Sequence, residues 1–188
     1  MQLRSLLAGA LAALTVSVVT AAPASASPAR GSLLPLTDSA ARRVLVADKV
    51  AAAKFPDQPI TDPAREQQVL DMARAKAVEL GLDPDATVTF FRDQIEASKV
   101  VQYGLFAWWT AHPDQAPTTK PDLPTEVRPV IDRLNAELLA ELADTVATRA
   151  SEGCAHRLPV AVRVTDLRRH LDRLHERALD RAVVSVCG

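Results

Sequence analysis

Val127, Ile131, Leu134, Leu138 and Leu142 recur at intervals of three and four, the spacing that lines apolar side chains along one side of an α-helix. The pattern predicts a helix over about residues 125–149, and Leu167, Leu171, Leu174 and Ala178 predict a final one over about 159–186. Ala178 is the small member of its stripe, a point where a neighbouring helix can approach closely. Upstream, punctuation sets the bounds. A first helix begins near Thr37 or Asp38 and ends at "FPDQP"; Asp62 caps a second, with Pro63 at its first position and Gly81 closing it. Asp83 and Pro84 repeat that start signal for a third helix reaching about Ala111. The proline-rich "HPDQAPTTKPDLP" then reads as a surface loop. Alternating β-branched runs are nearly absent, and no repeat or low-complexity tract is seen. The expectation is an all-α fold, a single-domain helical bundle.

The first 26 residues differ in kind. Arg4 precedes the apolar run "LLAGALAALTVSVV", and small residues stand at Ala24 and Ala26 before Ser27. These are the three zones of a secretory signal, read here as residues 1–26 with cleavage after Ala26 and a domain over 27–188. The run is too short to be preferred as a spanning helix, and nothing later approaches the apolar length of about 20 residues a bilayer needs. A secreted or periplasmic, soluble protein is expected. Its charge, about −2 once Arg4 is removed, argues against nucleic acid or an anionic membrane surface as partner. Any positive site must be local.

Export also governs the reading of the cysteines. Cys154 and Cys187 are an even pair in a chain bound for an oxidising compartment, and a disulfide is their simplest use. The competing use, Cys154 as a nucleophile with His156 as its base, fits that compartment less well.

Standard catalytic signatures are missing: no GxSxG, HExxH, glycine-rich phosphate loop or EF-hand loop occurs. His170 and His175, five apart, fall on different sides of a helix and read as surface residues rather than metal ligands. In "RVTDLRRHLDRLHERALDR" acidic residues interleave with arginines at ion-pair spacing, which predicts a solvated, salt-bridged face. What remains is a set of cations on separate helices. Arg43 and Lys54 are eleven residues apart on one face, their Cα atoms roughly 16 Å apart. Arg65, with Glu66, opens the second helix, where a cation opposes the helix dipole by roughly 0.3 to 1 kcal/mol. Ser98 and Gln102 sit one turn apart on the third, and Arg128 begins the fourth. Together they suit a small dicarboxylate bearing a hydroxyl, with no nucleophile or obvious titrating base among them.

The order Arg43, Lys54 after "VADKVAAA", "PITDPARE", "GLDPD" and "FFRDQIEASKVVQ" resembles the all-helical chorismate mutases, and the leader and paired cysteines resemble their secreted class. The resemblance implies conversion of chorismate to prephenate without metal or cofactor. It makes Arg43, Arg65 and Arg128 carboxylate anchors, and Lys54 the cation beside the ether oxygen with Gln102 as its partner. Glu66 would meet the ring hydroxyl, and Ser98 would line the carboxylate pocket. Arg128 stands for an arginine that smaller cytoplasmic relatives take from the neighbouring subunit, so each subunit would hold a complete site within a homodimer. Some relatives have Glu at the position of Gln102 and Thr at that of Ser98, and Glu66 is not shared by all secreted members. Two other functions remain open at this level: a secreted non-catalytic binding module, and a pyruvate lyase acting on isochorismate.

Overall fold

The computed structural model describes residues 31–188; the proposed leader and its cleavage point lie outside the described residues. Seven α-helices account for most of them: α1 Leu33–Lys54, α2 Pro63–Glu79, α3 Pro84–Ala111, α4 Arg128–Asp144, the short α5 Val146–Arg149, α6 Cys154–Arg169 and α7 Arg173–Ala182. A 3₁₀ turn, Pro113–Gln115, and a π turn, Leu123–Val127, punctuate the proline-rich connection before α4. The described residues contain no strand. The fold is the all-helical single bundle the apolar spacing predicts.

α1 is the central element, packed against α3, α4, α6 and α7, while α2 lies on α3. Its composition makes that placement feasible. Leu36, Ala40, Val44, Ala47 and Ala51 form a fully buried stripe, and Ala41 and Ala53 bury other sides of the helix. Alanine keeps helix propensity high while letting neighbours come close. The same logic explains Gly104 on α3, where an added Cβ would stand 2.6 Å from a methyl of Leu174 on α7.

The Asp-Pro starts hold in detail. Asp62 accepts a hydrogen bond from the Arg65 amide at 3.1 Å and Asp83 from that of Ala86 at 2.7 Å, each with proline at the first helical position. Gly81 takes a left-handed φ of 66° after α2. Cys154 and Cys187 are disulfide-bonded, tying the start of α6 to the chain end across 33 residues. In the chain-entropy view that loop stabilises the fold by about 3 to 4 kcal/mol.

Six expectations need correction. The helix expected over about 125–149 stops at Asp144, with Val146–Arg149 a separate short helix, and the region expected to start near Pro159 starts at Cys154 with Pro159 inside α6. α1 starts at Leu33, capped by Ser32, rather than near Thr37, because Leu33 and Leu36 bury their side chains in the core. The final helix is two helices: His170 adopts a left-handed φ of 51°, the Leu171 amide bonds back to the Asp166 carbonyl, and Asp172 caps α7. The break rotates the stripe, so Leu167 is 57% exposed while Ala178 and Leu179 are buried. His175 is not a surface residue; only 6% exposed, it bonds Asp172 through Nδ1 and Asp48 on α1 through Nε2. Finally, the arginines of this region are not confined to a solvated face. Arg169 grips Asp38 on α1 through Nε and a terminal nitrogen at 2.7 and 2.5 Å, and Arg181 reaches Asp93 on α3 at 2.5 Å.

Candidate active site

Where α1, α2, α3 and the start of α4 converge, the packing leaves a cleft of about 430 Å³. Arg43, Lys54, Arg65, Glu66, Ser98, Gln102 and Arg128 all line it. Residues from four helices and 85 positions of sequence thus meet at one place. Val50, Ile60, Val69, Ile95, Leu123 and Ile131 supply apolar walls, which lower the local dielectric and strengthen each charge's influence.

Arg43 sits in the middle of α1, only 6% exposed. Its Nε donates to Asn135 Oδ1 at 2.9 Å and a terminal nitrogen donates to the Gln94 carbonyl at 2.7 Å. Both acceptors are neutral. Burial pushes its pKa down to about 10; Asp132 pulls the other way and Arg65 adds to the depression. A cation this dry without a contacting carboxylate has strong affinity for an anion.

Lys54 is the last residue of α1, and its Nζ donates to the Ile60 carbonyl at 2.7 Å, which aims the ammonium across the "FPDQP" turn. Burial holds its pKa below the ordinary lysine value, and the nearby charges of Arg128 and Lys99 act in the same direction against Asp62 and Glu66. Arg65, in the first turn of α2, donates to Asp132 on α4 at 3.1 Å and to Gln68 at 3.4 Å. Arg128 heads α4 and has no salt-bridge partner among the described residues.

The neutral groups are held more locally. Gln102 is 4% exposed; its Nε2 donates to Ser98 Oγ at 3.1 Å and to the Ser98 carbonyl at 3.3 Å, while its Oε1 is buried without a partner. Glu66 is engaged at both oxygens, accepting from the Asp62 amide at 3.3 Å and from Lys99 Nζ at 2.9 Å.

Three participants escaped the sequence reading: Lys99, which also lines the cleft, and Asp132 and Asn135, which bind two of its arginines. The latter two follow Arg128 by four and seven residues, hence on its side of α4. Lys99 adjoins Ser98 and stands one turn before Gln102.

An all-helical bundle with an apolar-walled cleft of this size, lined by five cations, has the chemistry of a protein for small anions. Comparison with known proteins narrows the class. The Chorismate mutase type II family matches residues 36–103, α1 through most of α3. The chain is 38% identical over 156 residues to the secreted chorismate mutase of Mycobacterium tuberculosis, covering 82% of this chain and 78% of that one. The secreted chorismate mutase of Mycolicibacterium smegmatis is equally similar, with 86% of its length covered. Among solved structures, the chorismate mutase of Burkholderia phymatum superposes with a TM-score of 0.79 at 36% identity, over 83% of this chain and 96% of that one. This chain belongs to the chorismate mutase family.

Proposed function

We propose that the cleft between α1 and α4 is where this chorismate mutase rearranges chorismate to prephenate, and that the seven lining residues carry the roles their chemistry suits. Chorismate bears two carboxylates, and the reaction breaks a carbon–oxygen bond while forming a carbon–carbon bond in the same molecule. A catalyst must hold the enolpyruvyl arm over the ring and stabilise negative charge growing on the ether oxygen.

Arginine suits the first task, because its planar fork binds carboxylate bidentately and keeps its charge. Arg43, Arg65 and Arg128 enter the cleft from three helices, so two carboxylates held by them fix the substrate's conformation. Ser98 adds a hydroxyl at the pocket wall. Lys54 suits the second task as a compact charge aimed by the Ile60 carbonyl. Gln102 shares the cleft with it, its Nε2 bonded to Ser98 Oγ and the Ser98 carbonyl and able to exchange one of these for the ether oxygen when substrate binds. Glu66, steered by Lys99 and the α2 cap, faces the ring hydroxyl. A millionfold acceleration requires lowering the barrier by about 8 kcal/mol, which conformational restriction and a desolvated Lys54 share.

The convergence of these cations in one apolar-walled cleft carries the reading. Incubation with chorismate is expected to yield prephenate, and incubation with isochorismate to yield no salicylate; salicylate without prephenate would assign the cleft to a lyase. We read residues 1–26 as a leader that exports the enzyme and leaves Ser27 as the mature N-terminus, a reading supported by relatives named as secreted. Because the cations come from one chain, each subunit of the expected homodimer holds a complete site.

A further inference from the structure

Beside the cleft, next to the lining residue Ile131, α4 carries a carboxylate that the rearrangement does not require. Asp132 lies one turn beyond Arg128 and three residues before Asn135, so α4 presents a cation, an anion and an amide along one side. Its Oδ1 accepts from an Arg65 terminal nitrogen at 3.1 Å, joining α4 to α2 beside the cleft. Asn135 meanwhile holds Arg43. The Asp132 charge is also the chief attraction felt by that buried guanidinium, which Arg65 repels. One carboxylate therefore pairs with Arg65 and acts at a distance on Arg43, two of the three arginines assigned to substrate.

We propose that Asp132 is an internal competitor for the substrate's carboxylate, neutralising Arg65 before a dianion binds and yielding it when one does. The inference rests on the reading of Arg65 as a substrate anchor. Asp132 is half-exposed, so it can turn to water when displaced, and its ion pair with Arg65 is of the modest kind that a ligand can break. Two consequences follow from the chemistry. Substrate and product both carry two carboxylates, and a competitor that weakens both equally raises KM and hastens release without weakening the transition state relative to bound substrate. A ligand with a single carboxylate engages Arg43 or Arg128 without the second interaction needed to displace Asp132, so the residue favours dianions over monoanions.

Steady-state kinetics with chorismate on wild type, Asp132→Asn, Arg65→Ala and the double variant test this. Asp132→Asn is expected to lower KM by about fivefold, the scale of an exposed ion pair, with kcat unchanged or reduced by slower release. In the Arg65→Ala background the same change is expected to lower KM by much less, leaving only the effect exerted through Arg43. A rise in KM for Asp132→Asn would overturn the proposal, showing that Asp132 aims Arg65 instead of competing for it. An equal fall with and without Arg65 would overturn it too, reducing the effect to general charge. If Arg65→Ala alone leaves KM unchanged, the anchoring role of Arg65 fails first, and the inference with it.

Discussion

Arg43 is a cation in the protein core whose two hydrogen-bond acceptors, Asn135 Oδ1 and the Gln94 carbonyl, are both neutral. That arrangement is unfavourable for the unliganded chain and favourable for binding, since a buried charge lacking its partner gains most when one arrives. Gln102 is the residue of the cleft whose chemistry bears most directly on pH dependence. A carboxamide donates a hydrogen bond at any ordinary pH, whereas a carboxyl must hold its proton to do so. Activity of the wild type should therefore be nearly flat around neutrality and fall on the alkaline side, where Lys54, its pKa held low by burial, loses its charge. Gln102→Glu should move the optimum to acid, with activity rising as pH falls through the range in which the carboxyl takes up its proton. A pH–rate profile of the variant that stays flat would remove Gln102 from the ether oxygen. At this scale the cations were legible as a set, through their order and the resemblance it carries, and only Arg65, which opposes a helix dipole, is unusual taken singly. Lys99, Asp132 and Asn135 were not, because each is an ordinary helix-surface type until docking of α2, α3 and α4 gives it a partner.

Among the elements, α2 and α3 could be read almost to the residue, since Asp-Pro and glycine act within a few bonds of the backbone they control. The α6–α7 break could not. It occurs at His170 without glycine or proline; Asp172 caps α7 locally, but the contact that fixes the new helix direction is tertiary, His175 reaching Asp48 on α1. His175 has a folded-state pKa raised to about 9, chiefly by its bond to Asp48, against burial and with help from Asp172. The sign follows from linkage. A group that holds its proton more tightly when folded contributes its stability fully below the ordinary histidine value near 6.5, and loses that contribution as pH rises through about 9. The stability difference between wild type and His175→Gln, measured by chemical denaturation, should accordingly shrink from pH 6 to pH 10. A difference that stays constant over that range would mean the His175 charge does not hold α7 to α1.

For the molecule as a whole, one helix organises both stability and site. α1 buries its alanine-rich sides against four neighbours, and the same helix delivers Arg43 from its middle and Lys54 from its end. The disulfide and the Arg169–Asp38 and Arg181–Asp93 pairs brace α6 and α7 on the far side of α1 and α3. The cleft walls are thereby held by elements that contribute no lining residue. Among the described residues no helix is long and apolar enough to cross a membrane. The account turns on a cation placed where charge develops in the transition state. Its most direct test is kcat for chorismate rearrangement by Lys54→Ala beside wild type. Loss of a single stabilising group of this kind typically costs 10² to 10³ in kcat, and a fall of at least about 100-fold with a much smaller change in KM is expected. A variant that keeps the wild-type kcat and differs only in KM would contradict it.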